Sequence, residues 1–518
     1  MFKIVFYRSL FSQSAASLTA GYLAGYVREQ GYKAKMELLE KGRMDNLTKI
    51  LSCNKEYPVI IYKCNFQDYV EGCSLLSSVK EFCPNNKIFL MGYFAEINAR
   101  KIMEKYTYID GVIYGDGCNF SKRYADSNGK KLVGGLFRTK DAEIFEENTV
   151  EYLPLTVLPE PARDIEIQEQ GDYINMIWRN GCYGTCKFCH INIVKRPFSA
   201  REIEDVVNEM EKYHRTMNKK MFIFNDSVFW WGEKDDKDLD TFVNLLSEKQ
   251  MDINFMIYLR CFPFIGEERL KKLKKVGLSR VFIGIENVSE QFYSDYNKKV
   301  INYDEILQLL DNLKISYHIG FILFHPHVTI PELEENIEYL YKLNKLYRIG
   351  ILIEKMRLLP IGTIDAKTTE HNDIDEAYDY EFDNKEVNII YCALKKFFET
   401  VLDVRDFENV CTSSIFLMNL YGNKYGIWDI EEFNKFNNII SEYNNYAREF
   451  MINAINMASQ YNADELYQRL YNEHGKEFSD YYYRLQAGRA IVYDYISQTD
   501  KDLHKLVFHG QRRLNAYD

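Results

Sequence analysis

Arg179-Asn180-Gly181-Cys182-Tyr183-Gly184-Thr185-Cys186-Lys187-Phe188-Cys189 is the stretch on which the reading of this chain turns. Three residues separate its first two cysteines and two separate the last pair. The apolar run from Tyr173 to Trp178 precedes it and reads as a strand, so the cysteines fall on a loop just past a strand end. Three thiolates on one loop can hold three corners of a cubane iron–sulfur cluster and leave the fourth iron open. A closed zinc site needs four ligands, and ferredoxin-type clusters use four cysteines in their own spacing. The adjacent His190 could supply a fourth ligand, which keeps a zinc loop as the alternative.

Working outward, the region after the cysteines alternates strand and helix. Strand patterns at Met221–Phe224, Ile253–Leu259, Arg280–Asn287, Tyr317–Phe324 and Ile351–Leu359 follow the strand before the cysteines. Helical patterns lie between them, at about Ser199–Tyr213, Asp238–Lys249, Glu267–Val276, Tyr303–Leu313 and Pro331–Leu343. Ser199 with Glu202 forms a capping-box pattern. Six such units across residues 173–365 predict a partial parallel (β/α)6 barrel, with chemistry at the carboxyl ends of its strands. Upstream, Phe2–Tyr7, Lys33–Leu39, Val59–Tyr62, Lys87–Gly92 and Ile109–Tyr114 read as strands with helices between. That rhythm predicts a doubly wound parallel sheet over residues 1–145. Tyr152 to Asp164 carries three of the ten prolines and reads as part of a linker over residues 146–172. The tail, residues 366–518, opens on an acidic stretch and continues with helical periodicity at Val387–Leu402, Phe433–Met457, Asp464–Tyr471 and Ala487–Ser497. It predicts a helical carboxy-terminal domain.

Composition narrows the function classes. The chain has 518 residues, 46% hydrophobic and 27% charged, enough to bury several cores. A net charge of −11 argues against a general nucleic-acid binder. No apolar run reaches the length of a membrane span, and Met1–Tyr7 runs into a strand rather than a leader. Eleven cysteines without a secretory pattern point to a reducing, cytoplasmic setting. The other eight, Cys53, Cys64, Cys73, Cys83, Cys118, Cys261, Cys392 and Cys411, lack ligand spacing and read as inert.

The cysteine spacing, with Phe188 before the last cysteine, resembles the radical S-adenosylmethionine (SAM) superfamily. That resemblance implies a [4Fe-4S] cluster on Cys182, Cys186 and Cys189, with SAM on the open iron and Phe188 beside it. It also implies cleavage to a deoxyadenosyl radical and an external one-electron donor of flavodoxin or ferredoxin type. Phe224-Asn225-Asp226 resembles the second-strand element that reaches the methionine amine. Gly284-Ile285-Glu286-Asn287 resembles the fourth-strand element near the ribose. Gly320-Phe321-Ile322-Leu323 resembles the fifth-strand run beside the adenine. Arg260 at a strand end reads as a partner for the SAM carboxylate or as a side chain stacked in the cavity. Ordinary alternatives stand beside these: Asp226 as a cap, Glu286 paired with Arg260 or Arg280, and His325 and His327 as satisfied loop histidines. Trp230 and Trp231 read equally as a stacking wall or as packing.

Residues 1–120 resemble the cobalamin-binding domain that many members carry in front of the barrel. The resemblance rests on Arg28-Glu29-Gln30-Gly31-Tyr32, on Gly92 and on Ile109 to Gly117. It implies cobalamin against the strand-end loops, with Tyr62, Gly92, Tyr93, Tyr114 and Gly115 facing it. No Asp-x-His-x-x-Gly follows the first strand, so cobalt would carry no protein histidine, or the domain is empty. The resemblance thus implies a methyltransferase acting on an unactivated carbon of a small metabolite or natural-product precursor. A cobalamin-free dehydratase, epimerase or cyclase is the alternative. A non-catalytic iron–sulfur sensor or scaffold is the rival of another class.

Overall fold

The computed structural model describes residues 1–8, 17–52, 55–169, 173–189, 191, 198–299, 301–359, 364–368, 374–375, 377–503 and 506. Several expectations lie outside them: the loop beyond Arg8 up to Ser14, Cys53, His190, Pro360–Thr363, Asp373, Glu376, His504 and the Arg512-Arg513 pair.

The first sheet has the order β2-β1-β3-β4-β5-β6-β7. Its strands are β1 (Phe2–Tyr7), β2 (Ala34–Leu39), β3 (Val59–Lys63), β4 (Lys87–Met91), β5 (Gly111–Ile113), β6 (Gly135–Arg138) and β7 (Ile144–Glu147). The first five are parallel, as the strand–helix alternation requires. The sequence reading missed the hairpin of β6 and β7, which continues the sheet antiparallel. A core lies on each face. One packs under the helices Leu18–Glu29 and Cys118–Asp126, and the other under Tyr69–Phe82 and Ala99–Lys105. All six residues of β1 are buried. Lys3 is among them because its ammonium reaches the Ile50 carbonyl at 2.6 Å, at the end of the helix Asn46–Leu51.

The second sheet runs β14-β13-β12-β11-β8 and is wholly parallel. It comprises β8 (Tyr173–Met176), β11 (Met221–Phe224), β12 (Asn254–Leu259), β13 (Leu278–Glu286) and β14 (Ser316–Phe321). Between β8 and β11 a two-residue pair, β9 (Arg179–Asn180) with β10 (Ser199–Ala200), closes the base of the cysteine loop. Along β13, Val281, Ile283 and Ile285 are buried against the helices. Arg280, Phe282, Gly284 and Glu286 alternate onto the other, lumen-facing side.

Two expectations are corrected. Ile349–Ile353 is a helix rather than the start of a sixth strand, and what remains of that strand is isolated bridges, a parallel one between Phe324 and Lys355 and an antiparallel one between Leu358 and Tyr378. A short Ile-rich run satisfies either pattern, and here the helix wins by packing on Lys385–Val401 and Val404–Tyr425. Ser199 belongs to β10, so the following helix, Ile203–Met217, starts at Glu202 without a capping box.

Among the described residues the carboxy-terminal region is built mainly of four helices: Lys385–Val401, Val404–Tyr425, Glu431–Met457 and Ala463–Thr499. They share one continuous core with the barrel. The two last helical patterns in the sequence are one helix, and Val404–Tyr425 was not anticipated. No described helix is long and apolar enough to cross a membrane.

The segment between the sheets is held on both sides. Ala162 donates its amide to the Gly21 carbonyl at 2.9 Å. A Cβ at Gly21 or Gly25 would lie 2.9 Å from the Ala162 carbonyl oxygen or 2.7 Å from that of Glu160. Only glycine lets the linker lie this close on the helix. Arg163 is buried between Glu166 (2.7 Å) and Glu209 (2.6 Å), the latter on the barrel helix Ile203–Met217. A second clasp comes from beyond the barrel. Ile374 is buried in the core of the first sheet, and Asn98 donates to the Asp375 carbonyl at 2.8 Å.

Candidate active site

The cysteine loop is built from its base. Asp226, buried past the end of β11, accepts from the Trp178 amide at 3.1 Å and from the Arg179 amide. Burial outweighs these bonds and pushes its carboxyl up to about 7. Arg179 lies between the rings of Trp178 and Trp231, 3.8 and 4.7 Å from their centroids, and pairs with Asp235 at 2.6 Å. Gly181 has φ +88°, and a Cβ there would meet Phe198 at 3.0 Å, so the turn into the loop needs glycine.

Beyond that turn the loop alternates. Tyr183, Thr185 and Lys187 are exposed, while Cys182, Gly184, Cys186, Phe188 and Cys189 are half-buried. It is fastened to the end of the helix Glu290–Tyr296. The Lys187 amide donates to the Tyr296 carbonyl at 3.1 Å, and Asn297 donates to the Thr185 hydroxyl at 2.8 Å. Phe188 packs on Phe292 and Tyr296, with ring centroids 6.0 and 6.3 Å away. Behind it, the Tyr296 hydroxyl meets His325 Nδ1 at 3.1 Å, and His325 Nε2 meets Glu332 at 2.9 Å. His327 bonds Asp383 at 2.7 Å. Both histidines are therefore held by partners from other elements.

The three cysteines open onto a cavity of about 360 Å³ at the carboxyl end of the barrel sheet. Phe188, Arg260 and Glu286 line it too, as the sequence reading expects of residues around SAM. Glu286 has φ +71° and turns its carboxylate back over the strand. A Cβ at Gly284 would collide with Glu286 Oε1, and one at Gly320 would lie 3.3 Å from Oε2. Two glycines side by side on β13 and β14 make room for this carboxylate. Its partner is Lys298, at 3.4 Å, rather than Arg260 or Arg280. The Lys298 ammonium also donates to the Gly284 carbonyl at 2.8 Å. Arg260 faces the cavity beside Gly184 and has no hydrogen bond or ion pair among the described residues.

Sequence reasoning missed Lys298, Tyr258, Phe282 and Cys261 in these walls. The Cys261 thiol donates to the Gly284 carbonyl at 3.4 Å, and burial pushes it up to about 12, so it stays protonated. Asn225, Asp226 and Phe321 are not among the walls. Asn225 donates to the Ile223 carbonyl at 3.3 Å, Asp226 serves the loop base, and Phe321 stacks with Tyr339 at 6.5 Å. Trp230 is buried, its indole donating to Asp236 at 3.1 Å.

Among the described residues no three His, Cys, Asp or Glu side chains converge as ligands of a single metal ion. A cubane makes a different demand: each thiolate reaches its own iron. Three half-buried thiols spread along one loop over a lined cavity fit that demand.

At the first sheet the five residues expected to face cobalamin divide. Tyr62 is buried in the core with its hydroxyl on Asp68. Tyr114 donates to Glu146 at 3.0 Å, and the Gly115 amide to Glu96 at 3.2 Å. Gly92, with φ +105°, and half-buried Tyr93 sit at the end of β4, where the helix Tyr93–Ile97 begins. Gly92 and Tyr93 thus remain at the strand end, and the other three residues are turned to internal partners.

Residues 176–340 match the model of the Radical SAM superfamily. A protein of Methanocaldococcus jannaschii described as a methylthiotransferase is 25% identical over 241 residues, 45% of this chain and 51% of the other. The chain thus spans about half the length of that relative. The solved structure of the cobalamin-dependent S-adenosylmethionine radical enzyme OxsB with aqua-cobalamin bound superposes with a TM-score of 0.68 at 15% identity. The match covers 99% of this chain and 84% of the other. The radical S-adenosylmethionine methyltransferase TsrM from Kitasatospora setae gives 0.53 at 15% identity, over 66% and 71%. Sheet domain, barrel and helical tail are therefore all parts of a fold already seen whole.

Proposed function

Because the chain carries a radical SAM domain and the three-part fold of cobalamin-dependent radical SAM enzymes, we propose that it transfers a methyl group to an unactivated carbon of a small molecule. The observation that carries the reading is the meeting, in one cavity, of three cysteines, an arginine without a partner among the described residues and the Glu286–Lys298 pair.

Cys182, Cys186 and Cys189 hold the [4Fe-4S] cluster. When bound, the cluster and SAM together supply a deoxyadenosyl radical, generated with one electron from an external donor. Arg260 offers a guanidinium to the SAM carboxylate, a charge-assisted contact that a half-buried site strengthens. The Glu286 carboxylate, held open by Gly284 and Gly320 and anchored by Lys298, accepts from ribose hydroxyls. Tyr258 and Phe282 form an apolar wall. Phe188, packed on Phe292 and Tyr296, keeps water from the cysteine side, where a radical has to be protected. Cobalamin, when bound, supplies a methyl carrier, and Gly92 and Tyr93 form the face of the first sheet offered to it.

The internal partners of Tyr62, Tyr114 and Gly115 favour one other reading, in which the first sheet holds no cofactor and the radical drives dehydration, epimerisation or ring formation. Anaerobic reconstitution with iron, sulfide and cobalamin, followed by turnover with methyl-labelled SAM, separates the two. Bound cobalamin and label in product support methyl transfer. Deoxyadenosine formed with no cobalamin retained supports the second. No SAM cleavage under any reductant would leave only an iron–sulfur sensor or scaffold.

A further inference from the structure

Below the floor of the reaction cavity lies a second, smaller one. The floor is aromatic: Phe282 leans on Tyr258 at 4.9 Å and stacks on His318 at 5.9 Å and 25°. On the far side of His318, between the starts of β13 and β14 and the helix Val404–Tyr425, is a cavity of about 90 Å³. A cavity holds one water in roughly 10–15 Å³, so there is room here for a small polyatomic ion.

Its walls carry an excess of positive charge. Arg280, Lys345 and Arg348 line it, against one lining carboxylate, Asp311. Arg348 is paired, at 3.3 Å, with Glu408. Asp311 lies 3.5 Å from the Tyr317 hydroxyl, and burial raises its pKa. Lys345 donates to the Tyr347 hydroxyl at 3.3 Å. Arg280 has no carboxylate partner among the described residues: one Nη donates to the Thr412 carbonyl at 3.3 Å and Phe416 covers a face at 3.9 Å. A guanidinium presents five N–H donors, so most of its fork is unspent toward the cavity. His318 has no hydrogen bond among the described residues. Burial and the charges of Arg348, Arg280 and Lys345 hold it well below its ordinary pKa, which keeps it neutral and able to donate one N–H.

A half-buried guanidinium on a cavity wall, with no acid beside it among the described residues, is costly unless an anion meets it. We propose that this inner cavity binds a tetrahedral oxyanion, a phosphate or sulfate group, on Arg280 and Lys345 with His318 as a further donor. On its walls Asp311 is exposed and Lys345 half-buried, so the group arrives from that side, separately from SAM. It enters as the free ion or as the tail of a larger molecule. The site does not rest on the reaction proposed above.

The probe is inorganic phosphate, followed by equilibrium dialysis and by thermal midpoint with the reconstituted full chain, against chloride at equal ionic strength. Saturable binding of one phosphate is expected, weakened at least tenfold in Lys345→Met and in Arg280→Gln and unchanged in Arg260→Met. Glycerol phosphate binding better than phosphate assigns a tail, and equal binding assigns a free ion. Lys345 is only half-buried, so Lys345→Met keeps the test readable if Arg280→Gln does not fold. Phosphate binding that is not saturable, that survives both variants, or that is lost in Arg260→Met instead would overturn the assignment.

Discussion

Asp226 offers a quantitative test of how the cysteine loop is supported. Its carboxyl is buried and pushed up to about 7 from an ordinary 3.8. The sign follows from linkage: a carboxyl whose pKa is raised on folding stabilises the fold fully below 3.8, and that stability is lost as pH rises through 7. The unfolded chain ionises first, and the folded chain must follow by placing a charge in a dry site. At 1.36 kcal/mol per pH unit the whole interval is worth about 4 kcal/mol, of which about 3 kcal/mol falls between pH 5 and pH 8. Asp226→Asn keeps the shape and cannot ionise. Its Oδ1 still accepts from both amides, while its NH2 replaces the Oδ2 that accepts from Trp178 at 3.3 Å, a fixed cost of about 1–3 kcal/mol. Wild type should therefore fall relative to the variant by about 3 kcal/mol between pH 5 and pH 8, and be the less stable of the two at pH 8. For a unit of the barrel's size the relative fall should be roughly 6–12 °C in thermal midpoint. The assay is circular dichroism melting of both apoproteins in matched buffers. A difference that stays constant across this range would mean that the carboxylate is ionised throughout, and the account of a dry, amide-bound Asp226 would fail.

Three further outcomes are expected. Cys186→Ala should abolish SAM cleavage and lower bound iron while leaving the far-ultraviolet spectrum unchanged, because the thiol is half-buried on a loop and carries no core packing; retained cleavage would remove the cluster assignment. Lys298→Met should weaken SAM binding roughly tenfold, or about 1.4 kcal/mol, with iron content unaltered, since Lys298 anchors Glu286 at 3.4 Å and touches no cysteine loop residue by hydrogen bond; equilibrium dialysis reads it. Gly25→Ala should destabilise by about 1–3 kcal/mol through overpacking, although alanine favours helix, because the new Cβ meets the Glu160 carbonyl at 2.7 Å; limited proteolysis within residues 146–172 should speed up, and no change would show that the linker yields freely.

The strands and the cysteine loop were legible because each is a local pattern. The buried runs of β1 and β8 and the loop spacing need no partner to be read. Glu286 and Arg260 were legible as charged residues at strand ends. Asp226 shows the limit: a carboxylate past a strand end looks the same in sequence whether it meets a ligand or two backbone amides. Lys298 was out of reach because it follows a short helix, and only folding brings it over Gly284. Ile349–Ile353 failed as a strand because five apolar residues carry too little periodicity to choose, and the tail helices made the choice. The hairpin of β6 and β7 was missed because β7 alternates weakly, with only partial burial of Ile144 and Glu147.

The residence of Ile374 in the core of the first sheet has a consequence for biosynthesis. On a ribosome the sheet is finished once β7 has emerged, yet one side chain of the core on one of its sides is coded more than two hundred residues downstream. At roughly 5–20 residues per second, the nascent front domain waits on the order of tens of seconds with that slot open to solvent or chaperone. Its closure marks the moment at which the barrel behind it has been made.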